Sequence, residues 1–312
     1  MKRNNTTFAI DCLGMGIVPF DLLYTVERYP EVEMKIDATG LAMQGGGPVP
    51  NAMIGLARMG FKTALIAAVG SDPIGKLGID ELKKDKVDCR YMIVKKQPSA
   101  VATGWVEQGS GRRTMVLGRE IFVKPSDLTL SKYLVPRLLH LDGRDMEATM
   151  KLARWGKRNG AIVSFDIGSM RNDVSAVFKY VDHLVVADSY AFPFTKTRTA
   201  RAAVEKLRSW CPGSIVVTEG IKGSTGLEAG RYDYCAAYRV KAVDTTGAGD
   251  AFHVGYLYGL LKGLPMAERL KLGAATAALK CLRPGARTGL PTVRQLRAFL
   301  KSKPAKYRGN KK

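Results

Sequence analysis

Short apolar runs that alternate with helix-periodic stretches constrain this chain more than any other feature. The runs are Phe8–Gly14, Thr63–Val69, Leu138–Leu141, Ala161–Ile167, His183–Ala187 and Ser214–Thr218. Between several of them lie amphipathic stretches, Asn51–Arg58, Ile74–Lys84, Met146–Arg158 and Thr199–Trp210. Such alternation predicts an α/β fold, an open and mainly parallel sheet with helices on both faces. Folds of this class bind ligands beyond the carboxyl ends of their strands.

Two regions break the rhythm. Asp21–Leu41 and Tyr91–Val123 contain extended segments with no helix between them. Val101–Glu107 and Thr114–Leu117 flank Gln108-Gly109-Ser110-Gly111, which reads as a hairpin turn. These regions are expected to form a small second sheet over one end of the main one, or else edge strands of the main sheet. The C-terminal third reads as helices over Asp250–Leu261, Ala267–Leu282 and Thr292–Leu300. No internal repeat is visible.

At 312 residues the chain suits one large domain with a small accessory layer. Its 5 cysteines are scattered and never paired as Cys-x-x-Cys, which argues against a disulfide framework or a zinc site and fits a reducing cytoplasm. The 3 histidines, His140, His183 and His253, lie far apart in sequence and are expected to be packing or surface residues. No run is apolar enough to span a membrane, and none reads as a cleaved signal. The net charge of +21 is spread along the chain without a basic–aromatic module. A basic solvated surface is the favoured reading over nucleic-acid binding. Residues 1–7 are expected to fray, and 303–312 to form a flexible basic tail.

The stretch with most chemistry is Asp244-Thr245-Thr246-Gly247-Ala248-Gly249-Asp250-Ala251-Phe252. Small residues let backbone N–H groups point into one space, and a helix N-terminus adds partial positive charge. Together they make an anion hole suited to a phosphoryl group. Asp250, on its rim, is placed to take a proton from an attacking hydroxyl, or else simply caps the helix. A second cluster, Gly45-Gly46-Gly47-Pro48-Val49-Pro50-Asn51, offers close backbone approach and an amide suited to a polyol, or a helix N-cap. Gly70-Ser71-Asp72-Pro73-Ile74-Gly75-Lys76 has the spacing of a phosphate loop. It is rejected as one, because Leu77 replaces the Mg2+-binding hydroxyl and Pro73 removes a donor.

Taken together, these motifs resemble the ribokinase-like (PfkB) family of carbohydrate kinases, from about Phe8 to Phe299. The resemblance rests on Gly46-Gly47-x-x-x-Asn51 leading through Leu56-Ala57-Arg58-Met59-Gly60, and on Asp244 to Asp250, with Gly70-x-Asp72-x-x-Gly75 between them. It implies a three-layer α/β/α sandwich with a small β-sheet lid, here about 21–41 and 91–123, inserted in a single domain. It implies transfer of the γ-phosphoryl group of ATP to a sugar hydroxyl with Mg2+, in a homodimer paired through the lid. Asp250 matches the catalytic base, and Gly247, Ala248 and Gly249 the anion hole. Asp21, Gly46, Gly47 and Asn51 match sugar-contacting positions. Thr218, Gly220 and Gly223 match a nucleotide-binding turn, and Ala278, Gly285 and Ala286 part of an adenine pocket. The family's Asn-x-x-Glu stretch is Ala187-Asp188-Ser189-Tyr190 here, which leaves Asp188 as the candidate metal ligand.

His140-Leu141-Asp142-Gly143-Arg144-Asp145 and Ala277 to Gly285 look like the branch holding ketohexokinase and sulfofructose kinase, which implies a ketose or hexose derivative as acceptor. Arg144 either reaches the acceptor or lies on the surface at a helix start. If Arg112, Arg113 and Arg119 point inward, an anionic sugar becomes an alternative. A nucleoside acceptor and a sugar or nucleotide sensor without turnover are the others.

Overall fold

A computed structural model describes residues 9–169, 173–302 and 307–309. The start of the first run at Phe8, the expected fraying of 1–7 and most of the basic tail lie outside them.

In chain order the strands are β1 (Cys12–Met15), β2 (Phe20–Val26), β3 (Gly40–Gly45), β4 (Thr63–Ile66), β5 (Ala68–Gly70), β6 (Ile93–Lys95), β7 (Val101–Glu107), β8 (Arg113–Gly118), β9 (Leu138–Leu141), β10 (Ile162–Ile167), β11 (His183–Ala187), β12 (Ser214–Thr218), β13 (Ser224–Glu228), β14 (Arg231–Cys235) and β15 (Tyr307–Gly309). The helices are α1 (Pro48–Arg58), α2 (Pro73–Lys84), α3 (Met146–Arg158), α4 (Asp188–Thr195), α5 (Ala200–Leu207), α6 (Ala248–Leu261), α7 (Met266–Lys280) and α8 (Val293–Ser302).

The main sheet has nine strands in the order β15-β14-β13-β12-β11-β10-β9-β1-β4. Strands β4 through β12 in that order are parallel, and β13, β14 and β15 continue it antiparallel. The parallel strands are short and buried on both faces, as their unbroken apolar runs require. Successive residues feed opposite cores. Leu13, Leu139, Val163, Leu184 and Ile215 pack with Leu152 of α3 and Ala203 of α5. Cys12, Leu138, Val185 and Val216 pack with Leu56 of α1, Val254 of α6 and Leu270 of α7. These two cores make the three layers of a ribokinase-like α/β/α sandwich. Helix α6 is buried almost all round, so it carries no polar face.

Strands β3-β2-β7-β8 form the separate small sheet. The β7–β8 hairpin turns at residues 108–111, as its Gly-rich sequence predicts. Two bounds differ from the expectation. The first lid segment, expected to end near Leu41, runs on as strand β3 to Gly45, the first residue of the glycine cluster, because this backbone completes the ladder of β2. Ile93–Lys95 leaves the lid and pairs parallel with β5.

Other differences are local. Thr63–Val69 divides into β4 and β5. Helix α4 was not expected; it is short and carries Pro193 inside. The tail expected to be loose holds β15, paired with the edge strand β14. Gly70 to Lys76 is a capping device. The Asp72 carboxylate accepts from the Gly75 amide at 2.7 Å and Pro73 opens α2.

Candidate active site

Gly247, the residue before α6, has φ 71°, and a Cβ there would stand 2.8 Å from that of Ala286. Only glycine fits such a turn. The Ala248 amide is bonded to the Thr245 carbonyl at 3.1 Å. The amides of Gly247 and Gly249 have no hydrogen-bond partner among the described residues. A Cβ on Gly249 would meet nothing within 4 Å, so the space before the helix is open. Asp250 lies in the first turn of α6, partly buried. Its carboxylate does not cap the helix. It accepts a 2.6 Å hydrogen bond from Nδ2 of Asn51. Burial, and then the charge of Asp166, raise its pKa above the usual carboxylate range against the pull of Asn51, Arg113 and His253.

Asn51 is likewise no cap, because α1 begins at Pro48 after Gly47. It is held from behind by Arg287, a buried residue missed at the sequence level. The Arg287 guanidinium donates to Asn51 Oδ1 at 2.9 Å, to the Gly46 carbonyl at 3.0 Å and to Glu81 Oε2 at 2.6 Å. Glu81 also accepts from the Gly45 amide at 2.8 Å. With Oδ1 engaged by a donor, the Asn51 amide must turn its NH2 toward Asp250. Gly46 faces Asp21, whose carboxylate oxygen would lie 2.3 Å from an added Cβ. Asp21 is buried, which pushes it up to about 7, while Arg287 pulls it down and Asp250 adds to the rise. Thus Asp21, the Gly46–Asn51 segment and Asp250 are brought together from three separate parts of the chain. Gly47, at φ 96°, makes the turn into α1.

The lid arginines divide. Arg112 pairs with Glu107 and is largely exposed. Arg119 forks onto Asp145 at 2.6 and 2.7 Å and stacks over Phe122. The charge of Arg113 lowers the pKa of both Asp21 and Asp250, and Arg119 lies in the wall of the cavity below the lid. Below the lid a cavity of about 270 Å³ is lined by Asp142, Arg144, Asp166, Phe122 and Ser169 among others. Arg144 is half-buried in its wall, not on the surface, and its guanidinium has no hydrogen-bond partner among the described residues. Asp142, a further residue that the sequence reading did not single out, accepts from the Ile17 and Arg144 amides, and burial pushes it up to about 7.

All three histidines are buried. His183 bonds with the Tyr256 hydroxyl at 3.0 Å, as a packing residue. His140 and His253, far apart in sequence, have ring centroids 5.2 Å apart. His253 Nε2 is 3.0 Å from Asp166 Oδ1. Burial opposes the charge of Asp166, but His253, His140 and Arg144 outweigh it and lower its pKa. Burial lowers His140 to about 3 and keeps it neutral.

The nucleotide candidates fall into two groups. Thr218, Gly220 and Gly223 follow β12, with Gly223 pressed against the Cys235 carbonyl. Gly285 lies against Gln44 of the small sheet, and Ala286 against Gly247. The Gly285 amide donates to Asp244 Oδ2 at 2.7 Å, and Gly285 approaches Gln44. Ala278 is buried in the core beside α6. Asp188 opens α4, and Glu219, one residue past β12, feels its charge; Glu219 is raised mainly by burial, with Lys222 opposing and Asp188 adding.

Residues 10–293 match the family described as pfkB family carbohydrate kinase. A fructokinase of Klebsiella pneumoniae is 28% identical over 83% of this chain and 93% of its own. A 2-dehydro-3-deoxygluconokinase of Bacillus subtilis is 28% identical over 86% and 89%. Among solved structures, the ribokinase of Thermotoga maritima superposes with a TM-score of 0.82 at 23% identity, covering 94% of this chain and 99% of its own. Arabidopsis thaliana ribokinase complexed with ribose and ATP gives 0.80 at 22%, over 94% and 99%. The match spans the Gly46–Asn51 loop, the cavity wall and the Asp250 turn alike, and the chain belongs to the PfkB family of carbohydrate kinases.

Proposed function

We propose that this protein is an ATP-dependent kinase that transfers the γ-phosphoryl group to a hydroxyl of a small carbohydrate, with a ketose or hexose derivative as the favoured class. The observation that carries the reading is the hydrogen bond from Asn51 to Asp250 at the mouth of α6, beside the buried Asp21. Asp21 and Asn51 hold acceptor hydroxyls. Asp250 takes the proton of the attacking hydroxyl as the bond to phosphorus forms. The Gly247 and Gly249 amides and the helix dipole offset charge on the transferring group, with Ala248 shaping the turn. Arg113, from the lid, adds positive charge over the same space.

Thr218, Gly220 and Gly223 would hold the nucleotide phosphates, and Ala278, Gly285 and Ala286 would border its base. The donors available to Mg2+ are the carboxylates of Asp188 and Glu219, at the ends of adjacent strands. Oxygen donors of this type fit a hard cation. Bound with the nucleotide, Mg2+ supplies neutralisation of phosphate charge.

The four-stranded sheet would act as a lid on a single kinase domain and exclude competing water. Its exposed Leu41, Met43 and Val116 support pairing of two copies through that face. Among the described residues no helix is long and apolar enough to cross a membrane. A cytoplasmic setting accords with the 5 free cysteines. Arg144 favours a second reading, in which the acceptor carries an anionic group. ADP release from Mg-ATP against ketoses, aldoses, sugar acids, sugar phosphates and nucleosides tests both. A neutral ketose as best acceptor supports the first reading, an anionic sugar the second, and a nucleoside or silence contradicts both.

A further inference from the structure

His140, Asp166 and His253 come from β9, β10 and α6 and meet behind the acceptor cavity. They are 0%, 7% and 4% exposed. One ligand-capable atom from each lies within 4.8 Å of the others. The contact between His253 Nε2 and Asp166 Oδ1 explains part of this. It leaves His140 Nε2 and His253 Nδ1 buried without a hydrogen-bond partner among the described residues. A buried polar atom left in this way is destabilising unless something else meets it. His140 Nε2, on a ring 5.2 Å from that of His253, is a buried nitrogen left for a further partner, and His253 Nε2 already faces Asp166.

We propose that His140, Asp166 and His253 form a binding site for one divalent transition cation of the zinc class, open on its remaining side to the acceptor cavity. The donor set, two imidazoles and a carboxylate, suits zinc, cobalt or nickel better than magnesium, which prefers oxygen. The 3.0 Å between His253 Nε2 and Asp166 Oδ1 is close to the spacing of two ligands on one such ion. His140 is oriented for the task. Its Nδ1 is 3.3 Å from Ser164 Oγ, which turns the other ring nitrogen toward the cluster as an outer partner does in metal sites. Asp166 also lines the cavity, so a water or an acceptor oxygen can complete the coordination. The site is separate from the Asp188–Glu219 pair assigned above to Mg2+.

The full chain is examined as purified by elemental analysis. It is then stripped with chelator and titrated, without nucleotide or acceptor, with Zn2+ alone and with Co2+ alone. One ion per chain is expected, with the visible absorption of low-coordinate Co2+ and a Tm that rises with Zn2+. His140→Gln and Asp166→Asn, each checked for fold by circular dichroism, should bind at least about 10-fold more weakly. If either fails to fold, Ser164→Ala carries the test, with an affinity loss of about 10-fold. A wild-type chain that retains no ion, or retention equal in wild type and folded variants, overturns the proposal. Because neither ATP nor a sugar enters the measurement, its failure is distinct from failure of the kinase reading.

Discussion

The Asn51 side chain donates from Nδ2 to Oδ2 of Asp250 at 2.6 Å, across 199 positions of sequence. The contact joins the first turns of α1 and α6 and holds the carboxylate of Asp250 against the Gly46–Asn51 segment. Asn51→Ala is expected to lower kcat about 10-fold or more, with nucleotide affinity unchanged. Steady-state kinetics and calorimetric ATP binding check both halves.

Arg287 sets the orientation of Asn51 through the buried fork to Glu81, Asn51 and Gly46. Arg287→Gln should cost about 1–3 kcal/mol of stability, because the buried Asn51 Oδ1 and Gly46 carbonyl lose the donor they share. It should also lower kcat more than acceptor KM rises. Urea denaturation beside kinetics measures the two. A variant that loses stability but keeps kcat would refute the positioning role.

Asp21 is raised to about 7. Below that pH it is protonated and accepts acceptor hydroxyls poorly, so kcat/KM for the acceptor should climb through about pH 7 and then level off. The linkage has the opposite sign for stability. The folded state holds the proton that the unfolded state loses near pH 4, so stability falls as pH rises from about 4 to about 7. Asp21→Asn should therefore be more stable than wild type at pH 8, by about 1–3 kcal/mol, while acceptor affinity drops. Equal Tm values at pH 8 would contradict the buried charge.

Glycines 247 and 249 should separate fold from chemistry. Gly247→Ala places a side chain at φ 71° and against Ala286, and is expected to lose stability by about 1–3 kcal/mol. Gly249→Ala meets no neighbour, so Tm should stay while kcat falls, because the methyl group enters the space meant for the phosphoryl group.

Local signals made the sheet, the Asp250 turn and the β7–β8 hairpin legible in sequence. Apolar runs, a Gly-rich turn and a helix start each act over a few residues. What escaped depends on long-range pairing. The end of strand β3, past Leu41, shows only once β2 lies beside it. Strands β13 to β15 extend the sheet by antiparallel additions too short to stand out. Arg287 and Glu81 lie 206 positions apart, and nothing near either residue marks it. His140, Asp166 and His253 have no metal-ligand spacing because they sit on three elements joined only by the parallel crossover topology. Residue chemistry and the family resemblance both give Asn51 and Asp250 their expected roles, while the hydrogen bond between them needs the fold.

The most direct measurement compares acceptor-dependent ADP formation by the wild type and Asp250→Asn, with ATP binding by each measured calorimetrically. The account predicts robust turnover in the wild type, a loss of about 10²–10⁴-fold in kcat for the variant, and equal ATP affinity. Near wild-type turnover by Asp250→Asn would contradict the role of Asp250 as the base.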